Sequence, residues 1–505
     1  FFCFLSIPVG GQSDLDDIFD SEHDRRLAYG KIGKMRQSAF GVGSSSDIGN
    51  NNNDQTASRN IGVAPGGCTI TNCEGVNLLA SIRGDLEQWR KRGGINLADT
   101  DAAQRRGCAV GEEDGHFFGC VQGWVRVMIV NNTLYATHFG EGFGTRDGVF
   151  LVALLELIAK YGKEVPDIDF VLQPGDRAKV LKHTNPGGAK WLALMLSFAV
   201  HPDYQEIGIP DPSFWGWPEM GVPPQWHVNR DPEIVQWYKK EQSAFWRGGS
   251  NRRFGGVTRK ELLQCPANAP TALKSRLDVA DAMRLAANKN ASKIKECKSA
   301  CLQWVGPMHM CKHKVAIFAQ GEGFTSSKQR VLACGSVPTF LSHDKMDSYF
   351  GRWLVPNKHY KLLRPGKVCE DLKNIVWWTE EHDDKAEQIG VNARRFATRI
   401  LGEEMVHQYL LHVLKEVANL MTYKAKDALR LVPKQLEKLN ALPATVAKLE
   451  AMKEKNGPRS TYALENIVKL TPQTIATSFR DREERKGAMI EAALAYTKYA
   501  KQDMA

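Results

Sequence analysis

Apolar residues recur along this chain in runs and spacings that predict an alternation of strands and helices. The clearest case lies in residues 311–336, where the apolar run 315–318 predicts a buried strand and Lys328 starts a predicted helix. Gly321 and Gly323 break the pattern between these two elements. Hydroxyl groups then follow on Thr325, Ser326 and Ser327.

A strand, a glycine turn and a helix start in this order can bind a phosphate group. Glycines allow the backbone to approach a ligand closely, and the free amides at the start of a helix attract an anion. The alternative is a βα loop whose glycines only make the turn, because such loops are also common in proteins without a ligand.

The first half of the chain predicts a hairpin and buried helical structure. Residues 119–138 alternate apolar and polar side chains about Asn131 and Asn132, which predicts a β-hairpin. Residues 77–92 predict a helix. Residues 148–162 repeat leucine and other apolar residues at helical spacing, and they are too apolar for a surface helix.

One carboxylate follows a predicted strand at the place where open α/β sheets bind ligands. The apolar run 170–172 predicts a buried strand, which Pro174 and Gly175 stop. Asp176 comes next, just beyond the carboxyl end of that strand. A carboxylate there, followed by Arg177, can act as a general base. A helix N-cap or a surface ion pair is the alternative.

Residues 211–226 are unusually aromatic and rich in proline. Three Trp, one Phe and four Pro within this stretch exclude a regular helix. The aromatic side chains either fill a seam between domains or form a platform for a flat ligand such as a sugar ring.

Glycines and arginines occur together again in the second half. Residues 244–246 predict a strand, after which Arg247, Gly248 and Gly249 predict a second glycine turn. Arg259 lies in the helix that follows. Guanidinium groups beside glycine turns suit a diphosphate, because they form paired hydrogen bonds where the backbone comes close. A basic surface loop is the alternative.

Helices dominate the remainder of the chain. Residues 232–240 predict a short helix, and residues 337–341 predict a strand after the first glycine turn. A helix is predicted through residues 371–378. Residues 383–421 place apolar side chains three and four apart and predict two helices. Residues 425–505 predict an amphipathic helical hairpin on the body of the protein or on a partner.

Composition and charge limit the class of protein. Hydrophobic residues make up 43% of the 505 residues and charged residues 25%, as in a globular protein of two or three domains. The net charge of +10 suits a nucleotide diphosphate or another polyanion. No run of Lys and Arg alternates with aromatic residues, so nucleic acid is not an expected partner.

Several features predict a secretory route. The apolar opening FFCFLSIPVG is interpreted as the end of a signal peptide or of a membrane anchor. Residues 10–60 are rich in Ser, Asn, Gly and Asp and predict a disordered stem. Sequons for N-glycosylation begin at Asn131 and Asn290.

The chain has eleven cysteines, whose chemical state depends on the compartment of the protein. In an oxidising lumen most of them are expected to form disulfides. The alternative is a zinc site, for which the spacing is loose. Its candidate ligands are Cys297, Cys301, Cys311, His309 and His313.

Six motifs follow one another in a fixed order between about residues 120 and 421. They are RVMIVNNTLY; TRDGVFLVALLELIAKYGKEVPDIDFVLQPGDR; SFWGWPEMGV; AFWRGG with TRKELL; CKHKVAIFAQGEGFTSSKQRVLACGS; and HYKLL with CEDLKNIVWW. In this order they resemble the protein O-glucosyltransferase family, glycosyltransferase family 90, and its plant-type branch most of all.

The resemblance implies an α/β fold of the GT-B type, in which two Rossmann-like domains face each other across a cleft. It implies that a sugar, glucose or xylose, moves with inversion from a UDP-sugar to a hydroxyl group of a protein or glycan. The reaction is expected in the lumen of the endoplasmic reticulum or Golgi. No metal cofactor is expected, since Asp383 and Asp384 lie at a helix start and are predicted to cap it.

Five parts of the chain are expected on this basis. Residues 1–60 form the signal or anchor remnant with its stem, and residues 61–228 form the N-terminal, acceptor-side domain. Residues 229–404 form the UDP-sugar-binding domain. Residues 405–424 form a helix that packs back on the N-terminal domain, and residues 425–505 form the helical extension.

The resemblance also assigns roles to residues. Asp176 falls on the catalytic base, and Cys311 and Cys334 match a disulfide of the family. The expected UDP-sugar site comprises Ala244, Arg247, Gly248, Gly249, Arg259, Gly321, Glu322, Gly323, Phe324, Thr325, Ser326 and Ser327. The expected acceptor side of the cleft comprises Trp215, Gly216, Trp217 and Glu219.

The chain departs from the family at the donor turn. Animal-type members carry an arginine and a lysine where this chain has Ser327 and Gln329, and plant-type members share the serine. Diphosphate contacts are therefore expected from Arg247, Lys328 or Arg330.

Two other classes of protein remain open on the sequence alone. A non-catalytic lumenal scaffold or carbohydrate-binding protein would keep the fold and use the extension as a partner surface. A glycoside hydrolase would need two carboxylates across a cleft, for which Glu219 is the distant companion of Asp176.

Overall fold

The computed structural model of the chain describes residues 67–108, 125–137, 146–182, 192–216, 224–225, 234–249, 256–281, 308–323, 325–431 and 468–471. The helices are α1 (Leu78–Asp85), α2 (Glu87–Arg92), α3 (Leu97–Cys108), α4 (Arg146–Tyr161), α5 (Gly256–Asn268), α6 (Thr271–Lys274), α7 (Lys328–Ala333), α8 (Val368–Glu381), α9 (Asp383–Arg399) and α10 (Glu403–Leu420). The strands are β1 (Val125–Val130), β2 (Thr133–Ala136), β3 (Ile168–Gln173), β4 (Met195–Ser197), β5 (Ile207–Gly208), β6 (Glu241–Gly248), β7 (Leu277–Asp281), β8 (His313–Ala319), β9 (Val337–Leu341), β10 (Lys361–Leu363) and β11 (Val468–Lys469).

The first sheet has the strand order β11-β2-β1-β3-β4-β5. β1 runs antiparallel to β2 and β3, whereas β3, β4 and β5 run parallel to one another. The predicted hairpin is confirmed, and its two-residue turn consists of Asn131 and Asn132, with φ of 49° and 55°. Asparagine accepts a positive φ more readily than most residues, as a tight hairpin turn requires.

The second sheet is parallel throughout, in the order β10-β9-β8-β6-β7. The strands predicted at 315–318 and 337–341 are confirmed as β8 and β9. Every residue of β9 is buried, because parallel sheets are covered on both faces. The chain is therefore a mixed α/β protein with two sheets rich in parallel strands, as expected.

The last long helix packs on elements from the first part of the chain. α10 lies against α1 and β3. The hydroxyl of Tyr409 donates to the carbonyl of Gly208 at 2.9 Å. The carboxylate of Glu416 accepts hydrogen bonds from Arg83 at 2.9 and 3.0 Å and from Arg90. These contacts join α10 to β5 of the first sheet and to α1 and α2.

A buried ion pair braces the centre of the first sheet. Arg126 on β1 donates to both carboxylate oxygens of Asp169 on β3, at 2.9 and 2.6 Å. The hydroxyl of Tyr423 donates to the same carboxylate at 2.9 Å. Burial works against the charge of Arg126, but Asp169 and Asp101 raise the pKa of the guanidinium above its ordinary value. The charged network therefore also anchors the segment after α10.

Three disulfides occur among the described residues: Cys68–Cys73, Cys265–Cys369 and Cys311–Cys334. The last of these, which the resemblance implied, is confirmed, and it closes the strand–turn–helix unit of β8 and α7. Because Cys311 forms this bond, it is not available as a ligand of the alternative zinc site. Cys297 and Cys301 lie outside the described residues.

Two local predictions in the second half are corrected. Arg247 and Gly248 still belong to β6, where they pair with Ala280 and Asp281 of β7, so the glycine turn begins only at Gly249. Extended pairing with a neighbouring strand has overridden the local tendency of glycine to turn. Instead of the short helix predicted at 232–240, the described residues 234–240 contain only the 3-10 turn Trp237–Lys239.

Asp383 and Asp384 lie at the start of α9, as predicted, but Asp383 does not cap the helix. Its carboxylate instead accepts a hydrogen bond from the indole of Trp237 at 3.0 Å and another from Lys314. The side chain therefore joins the second sheet to α9.

The C-terminal extension is not helical throughout. Residues 425–431 are helical, but Val468–Lys469 forms β11, which pairs antiparallel with β2. The helical interpretation of 425–505 is wrong at these two residues, because β11 satisfies backbone groups that the edge strand β2 would otherwise expose. In the part of the chain that the structure describes, no helix combines the length and hydropathy of a membrane span.

The two disulfides Cys265–Cys369 and Cys68–Cys73 differ sharply in the loops that they close, of 104 and 5 residues. Because a longer loop restricts the unfolded chain more, replacing Cys265 and Cys369 by Ser should lower the free energy of unfolding by about 4.7 kcal/mol. The same change at Cys68 and Cys73 should cost about 2 kcal/mol. Equilibrium urea denaturation measures both values, and equal losses would contradict this expectation.

Candidate active site

Hydrogen bonds within the turn after β8, and from this turn to a neighbouring loop, fix its conformation. The amide of Gly321 donates to Oγ1 of Thr325 at 3.0 Å. The buried side chain of Gln320 donates to Oδ1 of Asp344 at 2.7 Å and to the carbonyl of Met346 at 3.0 Å. These bonds tie the turn to the loop that follows β9.

Arg259 joins this turn to the end of the neighbouring strand β6. Its guanidinium, which is 1% exposed, donates to the carbonyls of Ala319 at 2.7 Å, Gln320 at 2.9 Å and Gly249 at 2.9 Å. Parallel neighbours end at the same edge of a sheet, so one side chain can reach both loops. Arg259 therefore shapes both predicted turns and places a buried positive charge between them.

Gln173, the last residue of β3, shapes the loop that carries Asp176. Its side-chain amide donates to the carbonyl of Arg177 at 2.6 Å, and its side-chain oxygen accepts from the amide of Gly175 at 2.9 Å. The side chain of Asp176 is 23% exposed, and its Oδ1 accepts a hydrogen bond from Arg146 at 2.5 Å.

Asp176 forms an ion pair and does not cap a helix. Residues 177–182 are not helical, so Asp176 is not a helix N-cap. It does form an ion pair, but with the largely buried Arg146, whose side chain is 9% exposed. Among the described residues, nothing donates a hydrogen bond to its other oxygen, Oδ2. Arg146 thus holds one of the two carboxylate oxygens of Asp176.

The loop after β3 touches the turn after β8 at Gly323. A Cβ built on Gly323 would lie 1.7 Å from the carbonyl oxygen of Asp176. Arg177 crosses the same junction, where its NH1 donates to the carbonyl of Glu322 and its NH2 lies 2.9 Å from Oδ2 of Asp344. The predicted carboxylate and the predicted glycine turn are therefore neighbours, although they belong to different sheets.

Asp344 supplies a permanent negative charge at this junction. Burial opposes its ionisation, but hydrogen bonds from His343, from the amide of Met346 and from Gln320 hold the pKa of its carboxyl well below the ordinary value. It therefore remains a partner for Arg177 throughout the physiological pH range.

The aromatic segment is seated in the interior. The ring of Trp215 lies 6.3 Å from that of Phe150 on α4 and 5.9 Å from that of His407 on α10. Gly216 follows with φ of 90° and turns the chain. At Trp215, the aromatic stretch fills a seam between two helices. Trp217 and Glu219 lie outside the described residues.

The cations expected to contact a diphosphate already have acidic partners. Arg247 donates to the carbonyl of Asp278 at 2.7 Å and to its carboxylate at 2.5 Å. Nζ of Lys328 lies 2.5 Å from Oδ1 of Asp347. Arg330 is fully buried, and burial lowers its pKa to about 10 against the attraction of a nearby carboxylate. Their role in binding a ligand stays a prediction.

Ala244 does not join the turn. It is fully buried in the core of the second sheet, paired with Leu277 and Val315, and it precedes the strand end at Gly248 by four residues. Its side chain therefore contributes to packing. Phe324 and Asn290 lie outside the described residues, whereas Asn131 is exposed at the tip of the hairpin.

A group of metal-ligand side chains lies between α4 and α10. Ligand atoms of Glu156, Glu403 and His407 come within 4.8 Å of one another. Burial and the charge of Glu403 raise the pKa of Glu156 to about 7. The ammonium of Lys160 lies 3.2 Å from Nδ1 of His407 and supplies positive charge to the group.

Sequence reasoning missed Arg146, the only described residue seen to hold the Asp176 carboxylate. Its position offered a signal, since a charged residue at the start of a helix as apolar as α4 is expected to be buried and to require a partner. It also missed the role of Asp344, whose sequence surroundings contain no motif.

Comparisons with known proteins show the family to which the chain belongs. Residues 75–456 match the family model for Glycosyl transferase family 90. Protein O-glucosyltransferase 2 of Danio rerio is 27% identical, over 62% of this chain and 60% of that protein. The O-glucosyltransferase rumi homolog of Aedes aegypti is 22% identical, over 52% of this chain and 64% of that protein. The chain thus spans less than two thirds of the length of these relatives.

The close contact at Gly323 predicts that a side chain added there lowers the stability of the protein. Gly323→Ala should lower the free energy of unfolding by about 1–3 kcal/mol, because the added methyl group meets a backbone carbonyl that cannot rotate away. Gly84→Ala is the control, since its added Cβ meets no atom within 4 Å and should stabilise α1 by about 0.5–1 kcal/mol. Urea denaturation measures both, and a Gly323→Ala protein as stable as the wild type contradicts the contact.

Proposed function

Because the chain belongs to glycosyltransferase family 90, we propose that it transfers a sugar from a UDP-sugar to a hydroxyl group of a protein or glycan. The names of the matched relatives, which are O-glucosyltransferases, support glucose as the sugar, with xylose as the other candidate. The observation that carries the proposal is the contact between the Asp176 loop and the glycine turn at Gly323.

In this proposal the two sheets belong to the two Rossmann-like halves of a GT-B enzyme. The first half contributes a carboxylate and the second contributes a turn rich in glycine and hydroxyl groups. An inverting transferase needs this division, because the acceptor and the leaving group lie on opposite sides of the anomeric carbon. The meeting of the two loops supports a site between the halves.

The transfer step assigns one task to Asp176. The acceptor oxygen attacks the anomeric carbon and forms the new bond as Oδ2 of Asp176 accepts the acceptor proton. The bond between that carbon and the phosphate oxygen breaks, and UDP leaves with the electron pair. A general base is effective only within hydrogen-bond reach of the proton that it removes, and Oδ2 is the oxygen without a described donor.

Residues of the second half are proposed to stabilise the departing UDP. The amides and hydroxyls of residues 321–327 would contact the diphosphate, since glycine lets the ligand approach the backbone. Arg259 holds the carbonyls of this turn and contributes its buried charge. Fixed dipoles and charges in a site of low polarity stabilise a developing anion efficiently. No metal ion takes part in this proposal.

The proposed location is the lumen of the secretory pathway. Three disulfides among the described residues support an oxidising compartment. The exposed sequon at Asn131 offers a site for an N-linked glycan on the hairpin tip.

The first test of the proposed function replaces the proposed general base, Asp176. Asp176→Asn should reduce sugar transfer by at least about a hundredfold, because an amide cannot accept the acceptor proton. Its affinity for UDP, measured by calorimetry, should remain that of the wild type. Asp203→Asn, a change at a surface carboxylate that is 62% exposed, is the control and should leave both values unchanged.

A loss of UDP affinity in Asp176→Asn would show that the residue acts structurally. A wild-type protein that does not bind UDP at all would favour the non-catalytic scaffold.

The second test concerns the donor turn. Arg259→Ala should weaken UDP binding by about 2 kcal/mol, since the ends of β6 and β8 lose three charged hydrogen bonds and the donor turn loses its buried cation. Arg276→Ala is the matched control, because this arginine pairs with the exposed Glu380 at 2.5 Å in the same half of the protein. Calorimetric titration distinguishes the variants, and equal affinity in both would remove Arg259 from the donor site.

A further inference from the structure

Arg146 is the first residue of α4, a helix whose apolar faces are almost entirely buried. Its backbone is therefore fixed in the core of the first half, and its side chain has little freedom. NH1 donates to Oδ1 of Asp176 at 2.5 Å and lies 3.5 Å from the carbonyl of Pro174. The side chain is 9% exposed, so solvent screens the ion pair less than it would on the surface.

We propose that Arg146 is a positioning residue for the transfer reaction, which holds Oδ1 of Asp176 so that Oδ2 faces the acceptor hydroxyl. The inference rests on the proposed function and adds a residue to it. A carboxylate beyond a Pro-Gly loop can rotate about its side-chain bonds, and a general base acts only in a narrow range of orientations. A guanidinium fixed in the core removes that freedom.

The backbone of the loop does not depend on Arg146 to the same degree. Gln173 binds the amide of Gly175 and the carbonyl of Arg177, and Ser197 donates to the side-chain oxygen of Gln173 at 3.0 Å. The loop therefore has its own support from β3 and β4. Loss of Arg146 should release the carboxylate of Asp176 while the loop itself remains in place.

The carboxylate of Asp211 interacts electrostatically with Arg146. It is fully buried, and burial raises the pKa of its carboxyl, whereas hydrogen bonds from Ser213 and the charges of Arg330 and Arg146 oppose that rise. Arg146 is thus hydrogen-bonded to Asp176, and the charge of Asp211 acts on both Arg146 and Arg330. Each buried charge is compensated by its neighbours, as buried ion pairs require.

The same carboxylate is linked by hydrogen bonds to the helix that follows the donor turn. Oδ1 of Asp211 accepts from the hydroxyl of Ser213 at 2.5 Å and from its amide at 3.0 Å. The hydroxyl of Ser213 in turn accepts from Nε2 of Gln329 on α7 at 2.5 Å. Asp211, whose charge acts on Arg146, is thus linked through Ser213 to the second half of the protein.

The test compares Arg146→Ala and Arg146→Lys with the wild type in sugar transfer and in UDP binding. We expect Arg146→Ala to lower kcat about a hundredfold while the Kd for UDP stays within about twofold, because a misplaced base slows only the chemical step. Arg146→Lys keeps the charge without the guanidinium geometry, so we expect a loss of about tenfold. Millimolar guanidinium chloride should restore part of the kcat of Arg146→Ala and none of that of Asp176→Asn.

The control is Arg352→Lys, which alters another guanidinium that binds a carboxylate, that of Asp85, at 2.6 and 2.8 Å. The kcat of this variant should equal that of the wild type. A wild-type kcat in Arg146→Ala overturns the inference but not the proposed function. A fall in UDP affinity as large as the fall in kcat has the same consequence. If Arg146→Ala does not fold, Arg146→Lys decides, and its wild-type kcat at a wild-type melting temperature overturns the inference. A wild-type protein that binds UDP but transfers no sugar overturns the proposed function and the inference together.

Discussion

The close approach of two backbones at Gly323 is the constraint on which the rest of the site depends. A side chain there would begin 1.7 Å from the carbonyl of Asp176, so only glycine allows the loop after β3 to meet the turn after β8. Arg177 spans the same junction by binding the carbonyl of Glu322 and the carboxylate of Asp344. The loop that carries Asp176 and the glycine turn are thereby neighbours, although their strands belong to two sheets that share no strand.

Buried arginines, each with a defined partner, organise both sides of this space. Arg259 collects three carbonyls from the ends of β6 and β8, and Arg146 binds the carboxylate of Asp176. A desolvated guanidinium acts more strongly on nearby charge than a solvated one, since the surrounding dielectric is low. In our proposal these buried charges act beside a donor turn in which the chain has Ser327 and Gln329.

Sequence patterns predicted the elements of the site better than the contacts between them. The apolar runs of β3, β8 and β9 and the glycines after β8 are local signals, and the structure has them as predicted. The partners of Asp176 and Cys265 lie 30 and 104 residues away, and no local periodicity encodes such pairs. Ala244 was assigned to the site by resemblance, but its strand continues to Gly248 because it pairs with β7.

The central claim is that Asp176 and the turn at residues 321–327 act on one bound donor. A crystal structure of the protein with UDP tests it most directly. We predict the diphosphate against the backbone of that turn, with the β-phosphate one sugar ring away from Oδ2 of Asp176, a separation on the order of 5–7 Å. UDP bound elsewhere, or at the turn but facing away from Asp176, would contradict the account.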